Sequence, residues 1–104
     1  MKDQDVRGLE EIIKRIKIHK KALQDKFKIK ELGIFGSFAR GEQKKRSDVD
    51  IFVEFKEEDI PGFFKFIAIE RYLERILKKK VELVRKGAIR AELKEKILKE
   101  VIYV

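Results

Sequence analysis

The sequence predicts an α/β (α+β) fold in which a small mixed β-sheet of three to four strands packs with helices. Three observations carry this expectation. Apolar residues recur at helical spacing in the first quarter of the chain, two strand-like runs flank a glycine-containing break, and a long apolar helix precedes a third short strand. At 104 residues the chain suits a single domain, residues 1–104, with room for a modest core.

Leu9, Ile12, Ile13, Ile16, Leu23 and Phe27 define one amphipathic helix from about Val6 to Phe27. His19 falls on the edge of that stripe, with no acid of clear role nearby, and reads as a packing or surface histidine rather than a catalytic base. Lys28 to Phe35 reads as a strand, broken at Gly36-Ser37 into a short helical segment around Phe38 to Arg40. A second strand carries Val49, Ile51 and Val53 toward the core, and the alternation of side chains sends Asp48 and Asp50 to the opposite face. Glu54 shares that face but lies too far along the strand to join them as a third ligand.

Pro61-Gly62 after Asp59 starts a helix running from about Gly62 to Lys79. Its apolar residues from Phe63 to Leu77 cover more than one stripe, so it needs two neighbours: the sheet, and either an adjacent helix or a partner chain. Val81-Glu82-Leu83-Val84 has strand character. A closing helix leads to the apolar tail Val101-Ile102-Tyr103-Val104, whose strand-like residues suit docking on this domain or on a neighbour.

The chemistry sits in the middle of the chain. Gly36-Ser37 opens a helix mouth whose backbone N–H groups favour an anion, and glycine lets a phosphate approach the backbone closely. Arg40, between this cradle and Gly41, is placed for phosphate contact. Asp48 and Asp50 repel each other unless a cation sits between them, and Mg²⁺ is the leading candidate because it takes carboxylates together with substrate phosphates. The pattern suggests nucleotide plus metal. It is neither of two common phosphate loops. Gly36 and Gly41 have Walker A glycine spacing, but Glu42-Gln43 stand where Lys and Ser/Thr are required, and no third glycine follows at dinucleotide-fingerprint spacing.

Composition narrows the setting. Cysteine is absent, which excludes disulfides and thiolate metal sites. No run is apolar enough to cross a bilayer, and Lys2, Asp3, Asp5 and Arg7 exclude a signal peptide, so cytoplasm is the default location. Charged residues make up 44% of the chain, and Thr, Asn and Trp are missing too, a balance that points to a hyperthermophilic source. The net charge of +8 is spread along helices with glutamates interleaved and reads as a solvated surface. Lys44-Lys45-Arg46 is the exception: it lies between cradle and carboxylates, where it draws polyanions toward the site.

The string Phe35-Gly36-Ser37-Phe38-Ala39-Arg40-Gly41, followed by Ser47-Asp48-Val49-Asp50 and apolar Ile51, resembles the signature of the DNA polymerase β-like nucleotidyltransferases, and within them the minimal nucleotidyltransferases, the MNT or MntA group. Ten residues separate Ser37 from Asp48. The resemblance extends to the order of elements along the whole chain and implies a palm-like fold. It further implies Mg²⁺-dependent transfer of AMP from ATP, with Asp48 and Asp50 as catalytic metal ligands and Gly36, Ser37 and Arg40 binding the nucleotide. A third acid on the next strand completes the metal site in that family and helps to deprotonate the attacking hydroxyl; here it is Glu82, where the minimal group usually has aspartate. Read from its own surroundings, Glu82 is an exposed glutamate on a short edge strand.

Minimal nucleotidyltransferases are commonly antitoxins that adenylylate a tyrosine of a HEPN-domain RNase toxin. The resemblance thus implies a HEPN toxin as partner, in an assembly whose homo- or hetero-oligomeric character stays open. Two other readings remain: a catalytically idle antitoxin or scaffold, and a basic RNA-binding module. The second is disfavoured because no stacking aromatics accompany Lys44 to Arg46.

Overall fold

A computed structural model describes residues 8–104. The first helix, α1, spans Leu9–Phe27 and buries Ile12, Ile16, Leu23 and Phe27. The expected start at Val6 and the amino-terminal charges up to Arg7 lie outside the described residues. Helix α1 stops at Lys28, whose left-handed backbone (φ 61°) lets its N–H bond the Gln24 carbonyl at 2.9 Å. Lys28 is therefore a helix cap, and strand β1 begins one residue later, spanning Ile29–Phe35.

Helix α2 is a single turn, Ser37–Arg40, between β1 and strand β2, Val49–Phe55. The two strands pair antiparallel from Ile29↔Phe55 to Phe35↔Asp50, with a register shift between Ile29 and Glu31. Helix α3, Phe63–Leu77, crosses back so that β3, Val81–Arg85, lies parallel to β2. Helix α4, Ala91–Glu100, leads into β4, Ile102–Tyr103, which pairs antiparallel with β1 at Gly33↔Tyr103 and Ile34↔Ile102. The sheet order is β3-β2-β1-β4, a mixed sheet of four strands. The apolar tail docks on its own domain.

One face of the sheet makes the core. Val49, Ile51 and Val53 are fully buried with Ile12, Ile16 and Leu23 of α1 and Ile69, Leu73 and Leu77 of α3. Each such side chain contributes about 1.5–3 kcal/mol by leaving water. The two neighbours that α3 requires are thus α1 and β3. His19 packs as expected: Nδ1 lies 3.0 Å from the Arg15 carbonyl, and the ring meets Tyr72 edge-on at 6.0 Å. The other face is shallower. Phe52 is buried there against Tyr103, ring centroids 6.0 Å apart, and the same face presents Asp50 and Glu54. Glu54 pairs with Lys30 (3.8 Å) and Lys86 (3.7 Å), four residues along the strand from Asp50.

No helix among the described residues is long and apolar enough to cross a membrane.

Candidate active site

The end of β1, the start of β2 and the start of β3 meet at one edge of the domain. Phe35 is the register partner of Asp50, so Gly36 at the strand's exit lies against the Asp50 side chain. Its backbone (φ 76°, ψ −152°) belongs to a region almost confined to glycine. A Cβ there would collide with Asp50 Oδ2 and sit 2.9 Å from Cγ. Glycine is required at this position for both conformation and space.

Beyond Gly36 the chain turns at once into α2. The Gly36 carbonyl accepts from Arg40 N–H at 3.1 Å, and the Ser37 carbonyl accepts from Glu42 N–H at 2.8 Å, which folds the turn tightly while Gly41 adopts φ 72°. The following loop is closed by Ser47: its Oγ accepts from Lys44 N–H at 2.7 Å, and its N–H donates to the Lys44 carbonyl at 3.0 Å. Lys44, Lys45 and Arg46 are exposed, as expected, and Lys79 Nζ holds the loop by donating to the Lys45 carbonyl at 3.1 Å.

Asp50 faces Glu82 across the parallel β2–β3 pair. The Asp50 carboxyl is pushed up from 3.8 to about 6, first by burial, then by the negative charges of Glu82 and Asp48 and a hydrogen bond shared with Glu82; the Arg40 cation opposes the rise. The structure therefore brings the third acid of the sequence reading beside the second. Asp48 lies one residue ahead of β2 and is exposed, so no ladder clamps its side chain, although its charge acts on Asp50.

Among the described residues no three His, Cys, Asp or Glu side chains converge as a ready metal cluster. The expected set of Asp48, Asp50 and Glu82 is thus not assembled as three ligands around one point. The donor chemistry nevertheless fits Mg²⁺. A carboxyl raised first by burial and then by two neighbouring acids is stabilised in its charged form by a divalent cation, and this ion needs only one or two protein carboxylates when phosphates complete its shell.

Arg40 is held by two carboxylates. Its Nε donates to Glu42 Oε1 at 2.9 Å, and its Nη1 lies 3.2 Å from both oxygens of Glu100. Its pKa is raised by the hydrogen bond to Glu42 first and then by that to Glu100. Glu100 also accepts from Gly36 N–H at 2.8 Å. The sequence reading missed Glu100, which stands sixty residues from Arg40. One signal was present: an acid in the last position of α4 opposes the helix dipole and needs a compensating partner.

A strand running into a glycine-opened turn, with one acid just ahead of the adjoining strand, a second on it and a third on its parallel neighbour, is the layout of a nucleotidyltransferase. Comparison with known proteins agrees. The profile of the nucleotidyltransferase domain family matches residues 16–104. The protein adenylyltransferase MntA of Thermococcus cleftensis is 47% identical over 96 residues, covering 92% of this chain and 95% of that relative. A solved structure described as a minimal nucleotidyltransferase superposes with a TM-score of 0.77 at 28% identity, over 92% of this chain and 95% of that one. A toxin–antitoxin complex with AMP-PNP matches with a TM-score of 0.71 at 26% identity, over 86% of this chain and 70% of its counterpart. The chain belongs to the nucleotidyltransferase domain family, among its minimal, MntA-like protein adenylyltransferases.

Proposed function

We propose that this chain moves AMP from ATP to an acceptor hydroxyl, a tyrosine of a HEPN RNase toxin, and acts as the antitoxin of that pair in the cytoplasm. The observation that carries the reading is the Asp50–Glu82 register pair set against Gly36 at the mouth of the Ser37 turn. Identity of 47% with a protein adenylyltransferase supports the reaction class.

The Gly36-Ser37 turn takes the outer phosphates, with the Arg40 guanidinium beside them. Asp48 and Asp50, with Glu82 alongside, would hold Mg²⁺, which supplies charge neutralisation on the attacking and leaving oxygens. Glu82, exposed at the sheet edge next to Asp50, takes the acceptor proton as the hydroxyl oxygen bonds the α-phosphorus and pyrophosphate departs. Lys44, Lys45 and Arg46 raise the local concentration of the polyanionic substrate.

The test is incubation of the chain with its co-expressed HEPN partner, ATP and Mg²⁺, followed by intact mass of the partner. An added AMP is expected with the natural protein, and a loss of about a hundredfold or more with Asp50→Asn or on chelation of the metal. Equal transfer by Asp50→Asn refutes the assignment.

A further inference from the structure

Glu100 joins the carboxyl-terminal part of the chain to the phosphate turn through two groups at once. Its Oε2 accepts from the Gly36 backbone N–H at 2.8 Å, and both its oxygens lie 3.2 Å from Arg40 Nη1. The side chain is only 18% exposed. We infer that Glu100 is a positioning residue for nucleotide binding: it fixes the Gly36 turn and aims Arg40 at the phosphates. This rests on the adenylyl-transfer reading of the site.

Three features support it. Gly36 is buried, and its N–H would lack an acceptor without Glu100, a loss that buried backbone groups rarely tolerate. A free arginine side chain also has much rotamer entropy to lose when it is ordered on a ligand. With Nε engaged by Glu42 and Nη1 by Glu100, the guanidinium is held in one orientation, and Nη2 makes no hydrogen bond among the described residues. That edge is the one available to a phosphate. Finally, Glu100 is delivered rigidly. It precedes β4, which is pinned to β1 by Ile102↔Ile34 and Gly33↔Tyr103 and by Val104 N–H bonding the Leu32 carbonyl at 2.9 Å. The strand that leads into Gly36 thus also sets the height of the acid that holds it.

A carboxylate beside a triphosphate repels it unless its charge is occupied. Here both oxygens are turned to Arg40 and Gly36, so the opposite role, a latch that phosphate must displace, predicts the opposite sign. The experiment is calorimetric binding of AMP-PNP with Mg²⁺ to the natural chain, Glu100→Ala, Glu100→Gln, Arg40→Ala and the Arg40→Ala/Glu100→Ala double variant, each checked by thermal melting. Glu100→Ala is expected to weaken binding about tenfold, and Glu100→Gln, which keeps an acceptor for Gly36 N–H, by less. The double variant should lose less than the two single losses combined, because part of the Glu100 effect runs through Arg40 and the rest through the Gly36 N–H. Unchanged or tighter binding by the Glu100 variants, or fully additive losses, overturns the inference while leaving the transferase reading intact. If Glu100→Ala fails to fold, Glu100→Gln decides by the same sign. Absence of AMP-PNP binding by the natural chain overturns both.

Discussion

The Asp50 carboxylate rests on the α-carbon of Gly36, so that a single methyl group added to the glycine would meet Oδ2 directly and Cγ at 2.9 Å. The glycine turn and the acid are thus packed as one object. Gly36→Ala should cost about 1–3 kcal/mol from backbone strain alone and abolish AMP transfer. Adding Asp50→Ala in that background removes the collision with the carboxyl group, leaving a tight 3.1 Å approach to its Cβ, and should raise the melting temperature part of the way back, with no return of activity. Melting curves and partner mass together check this; a Gly36→Ala protein with ordinary stability would refute the packing.

The raised pKa of Asp50 has a definite sign in stability. Between 3.8 and about 6 the folded protein holds this proton while the unfolded chain has released it, so stability falls as pH rises through that window and the penalty is complete above it. The full effect of such a displacement is about 3 kcal/mol, but the side chain is only partly buried and solvent screening reduces this to about 1 kcal/mol. Asp50→Asn should therefore melt several degrees above the natural protein at pH 7.5, and the gap should close by about pH 4. A less stable Asp50→Asn at pH 7.5 would contradict the crowding of acids.

Lys28 and Lys78 cap α1 and α3 with φ of 61° and 55°, a conformation that costs a side-chain-bearing residue about 1 kcal/mol relative to glycine. Lys28→Gly and Lys78→Gly should each raise stability by about 0.5–1 kcal/mol, measured by denaturant midpoint, because the capping N–H bonds to Gln24 and Glu74 do not involve the side chain. A loss of stability in either variant would show that the lysine side chain itself is needed.

Phe63 and Phe64 stand 72% and 84% exposed at the start of α3, stacked edge to face at 5.5 Å. They add nothing to the core, so Phe64→Ser should leave the isolated chain's stability within about 0.5 kcal/mol. The same change should weaken a complex if the partner covers this corner, read by co-purification. A marked fall in melting temperature would mean that the ring packs internally.

The elements were legible because their periodicities are strong. Ile12, Ile16 and Leu23 mark the inner stripe of α1, and Val49, Ile51 and Val53 recur at every second position of β2, with Asp50, Phe52 and Glu54 on the other face. Glycine and charge spacing likewise marked Gly36, Asp48 and Asp50. What the sequence left open were facts of tertiary register. Whether Glu82 faces solvent alone or sits beside Asp50 depends on the parallel alignment of β2 and β3, and only the pairing Asp50↔Glu82 decides it. The pairing of Arg40 with Glu100 depends on β4 closing beside β1, which no local pattern encodes. The width of α3 demands two neighbours; α1 and β3 meet that need, while the phenylalanines at its first turn remain uncovered.

Gly33 lies in the middle of β1, and any side chain there would strike Val101 Cγ1 at 2.5 Å and the Ile102 carbonyl at 3.2 Å. An alanine would push the last strand off the sheet and withdraw the Glu100 clasp with it. A mutational scan scored for nucleotide affinity should therefore show intolerance at this residue, three positions ahead of Gly36.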